Sequence, residues 1–146
     1  MVVYVDMCAD LMHIGHVRML KAAKEIATEL HTTLLAGVHS SDAVASYKRC
    51  PILTLHERVG MVQACRYVDN VVENAPLIID KEFMSIHDIT LVIHAHDKDD
   101  TSYDKMYAVP IEMKCFMRLD YTDSISTTDI IKRIRTTQIC IFSGFM

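Results

Sequence analysis

Long apolar runs and clusters of like charge are both missing from this sequence, and each absence excludes a class of protein. No uninterrupted apolar stretch reaches the roughly 18 residues typical of a membrane-spanning helix, so we expect no transmembrane segment. No run of lysine and arginine occurs and the formal net charge is −4, so a protein that coats nucleic acid is not expected. The basic residues are scattered, which fits a local phosphate pocket better than a groove for a polyanion.

Other common signals are also missing. The first residues lack a basic segment followed by a long apolar one, so we expect no secretory leader. The five cysteines are odd in number and none has C-x-x-C spacing, which indicates reduced thiols and a cytoplasmic protein. No linker, internal repeat or low-complexity segment divides the 146 residues. A chain of this length is expected to form one domain with a substantial core.

The first thirty residues organise the rest of the chain. Residues 2–5 are β-branched or aromatic, which predicts a buried strand. From His16 onward the apolar residues recur with the spacing of one helix face, so the strand ends and a helix begins within residues 10–16. A helix that starts there directs unpaired N–H groups and the positive end of its dipole above the strand, which favours a bound phosphate.

The turn between this strand and helix carries two histidines and a glycine. His13 and His16 are three residues apart, one just before the helix and one in its first turn, so both can face the same phosphate. Gly15 removes a side chain where ligand and backbone must approach closely. A histidine that only caps or packs at the helix start explains neither the second imidazole nor the glycine. The turn is therefore predicted to be an anion site with two cations or proton donors.

The rest of the chain alternates between short apolar runs and helical periods. This alternation predicts βαβ units, and so an α/β, Rossmann-like three-layer sandwich with a mainly parallel sheet. The predicted strands are residues 2–5, 33–38, 70–72, 90–94 and 115–119. The predicted helices are residues 16–30, 43–47, 55–65, a segment from residue 80, 102–113 and 126–135. The apolar tail 136–146 is left open as an added strand, an oligomer contact or a disordered end.

Polar residues follow several of the predicted strands. Residues 10–16, 39–42 and 94–97 each come just after a strand. Ligands of such sheets bind outside the carboxyl ends of the strands, so the first two of these turns are expected to share one site. Thr54 and Glu57 have the spacing of a capping box, which predicts that a helix begins after Thr54.

These motifs, in this order, resemble those of the cytidylyltransferases, within the HxGH nucleotidyltransferase superfamily. The matching segments are VYVDMCAD at 3–10, HIGH at 13–16, GVHS at 37–40, Lys48, LHER at 55–58, CRYVD at 65–69, NAP at 74–76 and ISTTDII at 125–131. The resemblance implies a catalytic domain over residues 1–135, followed by the tail 136–146. It also implies transfer of a cytidylyl group from CTP to a phosphorylated alcohol, with release of pyrophosphate, for phospholipid synthesis.

The resemblance leaves the acceptor partly open. Residues 55–69, 75–76 and 107–110 are most similar to phosphoethanolamine cytidylyltransferases, while glycerol-3-phosphate and choline-phosphate enzymes share the main motifs. An adenylyltransferase of the same superfamily and a non-catalytic CTP-binding regulatory domain are further alternatives. An aminoacyl-tRNA synthetase fragment shares the HIGH motif but is excluded by the chain length and the absence of K-M-S-K-S. The implied partners are CTP, Mg²⁺ and a small phosphorylated alcohol, and the implied assembly is a homodimer.

The resemblance also implies roles for particular residues. His13 and His16 would hold the α- and β-phosphates, and Lys48 would approach from the opposite side as a mobile cation. Arg58 and Arg66 are candidates for the acceptor phosphate and the triphosphate. Asp10 would orient a histidine or contact substrate, directly or through Mg²⁺. The residues expected at the nucleotide are Cys8, Ala9, Asp10, Gly15, His94, Ser126, Thr127 and Thr128.

Several of these residues also have a simpler interpretation. Lys48 fits a solvated loop and Arg58 fits an exposed helix surface. Arg66 fits an ion pair with Asp69, and Cys8 fits a packed apolar residue better than a reactive thiol.

The chain departs from the family pattern after the fourth strand and before the last helix. Ala95 and His96 stand where the family has glycine and aspartate, and Tyr121 and Ser124 stand where it has arginine and glycine. Loss of that arginine removes a charge-assisted contact worth about 1.5–3 kcal/mol. His94 and His96 fit strand-end structure better than a metal pair. The HIGH and I-S-T-T motifs are kept, which favours an active enzyme.

Overall fold

A five-stranded parallel sheet forms the centre of the structure, a computed structural model that describes residues 1–96, 103–120 and 125–144. The strands are β1 (Val2–Met7), β2 (Thr33–His39), β3 (Asn70–Ala75), β4 (Ile89–His96) and β5 (Phe116–Asp120). Their order in the sheet is β3-β2-β1-β4-β5, and every neighbouring pair is parallel. All five predicted strands are present with small shifts at their ends, so the predicted α/β, Rossmann-like fold is confirmed.

Helices connect the strands. They are α1 (Ile14–Glu29), α2 (Ser41–Ala45), α3 (Leu55–Gln63), α4 (Lys81–Ile86), α5 (Ala108–Glu112) and α6 (Thr127–Gly144). The predicted capping box at the start of α3 is confirmed. Glu57 N donates to Thr54 Oγ1 at 3.3 Å, and Thr54 N donates to a carboxylate oxygen of Glu57 at 2.8 Å.

Both faces of the sheet are covered, which confirms the three layers. Successive residues of a strand point to opposite faces. On one face Val5 of β1 packs in a cluster with Leu20 of α1 and Val59 of α3. On the other face Tyr4 of β1 packs in a second cluster that includes Met84 of α4. The central strand is buried on both sides, as parallel sheets require.

The strand order fixes the position of the site. The sheet grows from β1 through β2 to β3, and the chain then returns to the other side of β1 to add β4 and β5. The order therefore reverses between β1 and β4. Doubly wound sheets bind ligands in the crevice outside the carboxyl ends of the strands at this reversal, which here lies beyond Met7 and His96.

The predicted helix over residues 102–113 is wrong for most of its length. Residues 103–107 form turns and α5 covers only Ala108–Glu112, while Ser102 lies outside the described residues. Pro110 has no N–H with which to bond Met106 O, so α5 does not extend toward the N-terminus into residues 103–107. Ile79 N donates to that carbonyl at 3.0 Å instead.

The tail is a continuation of α6. This helix runs past Arg135 to Gly144, so an added strand is wrong for the tail up to that residue; Phe145 and Met146 lie outside the described residues. Among the residues that the structure describes, no helix combines the length and apolar character needed to cross a bilayer.

Position 37 in β2 has no room for a side chain. A Cβ built on Gly37 would lie 2.1 Å from Tyr4 Oη and 2.8 Å from Ala75 Cβ. A Cβ built on Gly60, in the middle of α3, would meet no atom within 4 Å. The two glycines therefore differ in packing and make a matched pair.

We expect Gly37→Ala to lower the free energy of unfolding by about 1–3 kcal/mol, because Tyr4 must shift to admit the methyl group. Gly60→Ala should raise it by about 0.5–1 kcal/mol, because alanine favours a helix over glycine. Urea unfolding of both variants measures the two effects. If the two substitutions changed stability equally, the packing described around Gly37 would be incorrect.

Candidate active site

A cavity of about 700 Å³ opens where the strand order reverses. It is lined by most of the residues that the sequence assigned to the site. These are Cys8, Asp10, His13, Gly15, His16, Lys48, His94, Ser126, Thr127 and Thr128. Residues separated by more than a hundred positions in the chain are thus brought to one cavity.

The starts of α1 and α6 are in contact at this cavity. Thr127 Oγ1, in the first turn of α6, donates to Asp10 O at 2.9 Å. A Cβ built on Gly15 would lie 3.2 Å from Ile125 O and 2.8 Å from His13 Cε1. Glycine at position 15 therefore allows the two helix starts to approach closely. Two helix N-termini, whose dipoles favour an anion, therefore meet at one cavity.

The two histidines of the HIGH motif cap α1 with their own side chains. Gly15 N donates to His13 Nδ1 at 3.0 Å, and His13 N donates to His16 Nδ1 at 3.1 Å. Because an N–H can only donate, both Nδ1 atoms are acceptors, and each neutral ring carries its proton on Nε2. The ring centroids are 4.0 Å apart. The site therefore presents two Nε2–H donors side by side, and capping and ligand binding use opposite nitrogens.

The protein holds both imidazoles in the neutral form. Burial, then the neighbouring His13 and Lys48, lower the pKa of His16 to about 4. Burial also lowers the pKa of His13. Neutral rings keep their Nδ1 lone pairs for capping. A phosphate that approached Nε2 would bring the negative charge that favours protonation.

Asp10 ties the HIGH turn to the loop that carries Lys48. Its carboxylate accepts from Arg49 Nη1 at 2.8 Å and from the main-chain N of Ile52 and of Leu53, each at 2.9 Å. Burial alone raises the pKa of Asp10, but the bonds from Leu53, Ile52 and Arg49 outweigh it and hold the pKa below its usual value. This carboxylate is therefore a structural acceptor, and Lys48 is placed next to an anchored segment.

The start of α6 is capped from within. Asp129 N donates to Ser126 Oγ at 3.1 Å, and Ser126 N donates to a carboxylate oxygen of Asp129 at 2.9 Å. The Thr127 hydroxyl donates to Asp10 O. Of the three predicted hydroxyls, the one on Thr128 is the best placed for a ligand, together with the first N–H groups of the helix.

Arg58 does not reach the cavity, in contrast to the predicted phosphate contact. It is fully buried and donates to Cys8 O and His39 O, each at 2.8 Å, to Ser41 Oγ at 3.1 Å and to Leu53 O at 3.2 Å. The alternative of an exposed helix surface is also wrong. Its guanidinium satisfies carbonyls beyond the ends of two strands and so supports the floor of the site.

Arg66 and Ala9 also lie away from the cavity lining. Arg66 is exposed, and its guanidinium carbon is 5.8 Å from the centre of the Tyr67 ring. Asp69, proposed as its ion-pair partner, pairs instead with Lys24 at 2.6 Å. Ala9 is fully buried with a φ of 56°, so it shapes the turn from β1 to α1.

The state of the Cys8 thiol and the capacity to hold a metal ion are two further features of the site. Burial raises the pKa of the Cys8 thiol, which favours a packed residue over a reactive thiolate. Within the described part of the chain, no group of three or more His, Cys, Asp or Glu side chains could hold a metal ion. Tyr121 and Ser124 lie outside the described residues, as does the side chain of His96.

The sequence interpretation missed Asp6, which lies on the floor of the cavity. Tyr107 Oη donates to Asp6 Oδ1 at 2.6 Å, and His94 Nδ1 lies 2.7 Å from the same Tyr107 oxygen. Asp6 Oδ2 is buried without a hydrogen-bond partner. The signal in the sequence that could have indicated this role was a carboxylate at the end of the β-branched run of residues 2–5. A buried carboxylate oxygen is costly unless it meets a donor, so the floor suits a cationic group of a ligand.

We expect acid to destabilise the ligand-free protein through His16. Its pKa is about 4 when folded and 6.5 when unfolded, so between these values the unfolded chain binds more protons. The free energy of unfolding therefore falls as the pH drops from 6.5 to 4. His16→Asn keeps an oxygen for capping but gains no proton, so its slope should be shallower by up to about 1.4 kcal/mol per pH unit. Urea unfolding at several pH values compares the two proteins, and equal slopes would contradict the neutral buried imidazole.

Comparisons with known proteins indicate a family for this chain. The Cytidylyltransferase-like family model matches residues 4–133. The ethanolamine-phosphate cytidylyltransferase of Arabidopsis thaliana is 37% identical over 139 residues, which cover 91% of this chain and 32% of that protein. Choline-phosphate cytidylyltransferase A of Homo sapiens is 39% identical over 137 residues, which cover 90% of this chain and 36% of that protein. The chain thus spans about a third of the length of these curated relatives.

A solved structure supports the same fold. The lipopolysaccharide core biosynthesis protein from Thermoplasma volcanium superposes with a TM-score of 0.64 at 14% identity, covering 84% of this chain and 98% of that chain. Identity this low supports the fold alone. The family match spans most of the chain, including both helix starts at the cavity. This protein therefore belongs to the cytidylyltransferase-like family.

Proposed function

We propose that this protein transfers a cytidylyl group from CTP to phosphoethanolamine, giving CDP-ethanolamine and pyrophosphate for phospholipid synthesis. The observation that carries the proposal is the meeting of two helix starts and two Nε2–H donors at one cavity. Relatives named for ethanolamine phosphate and choline phosphate support the acceptor class.

The proposed reaction is an in-line displacement. A phosphate oxygen of the acceptor attacks the α-phosphorus of CTP, the bond from that phosphorus to the bridging oxygen breaks, and pyrophosphate leaves. No protein nucleophile is needed, so the protein acts by positioning the reactants and stabilising charge. The Nε2–H groups of His13 and His16 would donate to phosphate oxygens, including the bridging oxygen as charge develops there.

Several groups would hold the triphosphate around these histidines. Arg18, Lys48 and Arg49 supply basic side chains to the cavity lining. We assign Lys48 to the transferring phosphate, because it lies in an exposed loop beside the segment that Asp10 anchors. The Thr128 hydroxyl and the first N–H groups of α6 would hold the β- and γ-phosphates.

Asp6 favours an acceptor that carries an amine. Its Oδ2 is buried and lacks a hydrogen-bond partner, and the residue lines the cavity. A cationic nitrogen would balance the charge of this carboxylate, whereas the hydroxyl groups of glycerol 3-phosphate offer hydrogen bonds but no charge. Phosphoethanolamine and phosphocholine therefore fit better than glycerol 3-phosphate.

We also propose Mg²⁺ as a companion of the CTP phosphates, whose charge it would neutralise. Both carboxylate oxygens of Asp10 already accept hydrogen bonds, so Asp10 does not fit a direct metal contact. The chemistry of the site therefore favours Mg²⁺ held by phosphate oxygens and water.

A homodimer in the cytoplasm completes the proposal. Exposed apolar side chains such as those of Ile14, Ile52 and Ile134 offer surface that a second copy would cover. The free thiols of Cys50 and Cys65 fit a reducing compartment.

Pyrophosphate release tests the proposed function directly. The protein is incubated with Mg²⁺ and either CTP or ATP, and with phosphoethanolamine, phosphocholine or glycerol 3-phosphate in turn. We expect release with CTP and an amino-alcohol phosphate, fastest with phosphoethanolamine. Preference for ATP would indicate an adenylyltransferase. A rise in the melting temperature with CTP, without pyrophosphate release, would indicate a non-catalytic binding domain.

Two histidine variants control this assay. His16→Ala should lower turnover by at least about 100-fold, because it removes one donor to the transition state. His56→Ala removes an exposed imidazole in α3 and should retain wild-type turnover. Thermal unfolding checks that both variants are folded. Near-normal release by a folded His16→Ala would contradict the mechanism.

A further inference from the structure

A carboxylate and an imidazole face each other on the cavity floor. Asp6 in β1 and His39 at the end of β2 line the cavity and are only 3% and 5% exposed. His39 Nε2 lies 3.6 Å from Asp6 Oδ2, which is longer than a hydrogen bond. Asp6 Oδ2 is therefore left without a hydrogen-bond donor.

The other nitrogen of His39 determines what Nε2 offers. His39 Nδ1 lies 3.1 Å from Ala75 O, and a carbonyl oxygen can only accept, so Nδ1 carries a proton. In the neutral ring that carries this proton, the Nε2 lone pair faces Asp6. Asp6 Oδ1 already accepts from Tyr107 at 2.6 Å, so Oδ2 is the oxygen left for a ligand. With His39 neutral, a ligand with at least two donor hydrogens satisfies both the carboxylate oxygen and the lone pair.

We infer that His39 determines which amine the acceptor carries, by selecting a primary ammonium over a quaternary one. This inference rests on the proposed function, because the ammonium is that of the phosphorylated alcohol. A primary ammonium has three N–H groups and donates to Asp6 Oδ2 and His39 Nε2 at once. A trimethylammonium is attracted to Asp6 but has no N–H for His39. Selection therefore depends on hydrogen bonding, since the two ligands have the same charge.

Two substitutions separate the roles of the two ring nitrogens. His39→Asn keeps an amide donor close to the Nδ1 position, within reach of Ala75 O, and removes the atom that faces Asp6. His39→Gln places an amide oxygen close to the Nε2 position and so keeps an acceptor there. His56→Ala again serves as the control for loss of an imidazole outside the cavity.

The experiment compares kcat/KM for phosphoethanolamine and phosphocholine at pH 8 with saturating CTP. We expect His39→Asn to lower the phosphoethanolamine-to-phosphocholine ratio by roughly tenfold or more, mainly through KM for phosphoethanolamine. KM for CTP and the melting temperature should stay close to wild type, which a general structural defect would not allow. His39→Gln should keep most of the selectivity and His56→Ala all of it.

A series of methylated acceptors tests the inference without any substitution. The mono-, di- and trimethylated forms of phosphoethanolamine carry two, one and no N–H groups. Wild-type kcat/KM should be nearly retained with the monomethyl form and fall sharply with the dimethyl form. A flat series, a preference for phosphocholine, or an unchanged ratio in His39→Asn would overturn the inference and leave cytidylyl transfer intact. Failure of wild-type protein to use any of these acceptors would instead overturn the proposed function.

Discussion

The buried carboxylate of Asp10 is the constraint on which the rest of the site depends. A carboxylate removed from water must find donors, and Asp10 finds them in the side chain of Arg49 and the main chain at Ile52 and Leu53. Its own carbonyl accepts from Thr127. One residue thus joins the HIGH turn, the lysine loop and the start of α6. The cost of leaving that charge unpaired holds the HIGH turn and the lysine loop together, and the bond from Thr127 to the main-chain carbonyl adds the start of α6.

The polar groups of the site divide into those that the protein satisfies and those that it leaves for a ligand. The Nδ1 atoms of His13 and His16 and the oxygens of Asp10 are satisfied within the protein. Asp6 Oδ2 is buried without a partner. The satisfied set fixes the shape of the cavity, and the remaining set defines its ligand. The neutral imidazoles of His13 and His16 suit an anionic group of the ligand, and the carboxylate of Asp6 suits a cationic group.

The sequence predicted what local patterns can reveal. Strand and helix periods gave the parallel sheet, and the HIGH and I-S-T-T segments marked two helix starts at one sheet edge. The role of Arg58 was not predictable in this way, because the carbonyls that it binds, at Cys8 and His39, lie 50 and 19 positions away. The predicted helix over residues 102–113 was too long because helical spacing extended across Pro110, whose missing N–H keeps α5 from continuing backward. Asp6 was missed because its partner Tyr107 is distant in the chain.

Titration of the isotope-labelled protein with CTP, followed by nuclear magnetic resonance, tests most directly whether two helix starts bind one triphosphate. If both helix starts hold the triphosphate, the amide signals of Gly15 and His16 shift together with those of Thr127 and Thr128, with one common dissociation constant. The imidazole signals of His13 and His16 should follow the same curve. Shifts confined to one helix start, or different dissociation constants at the two, would contradict the account.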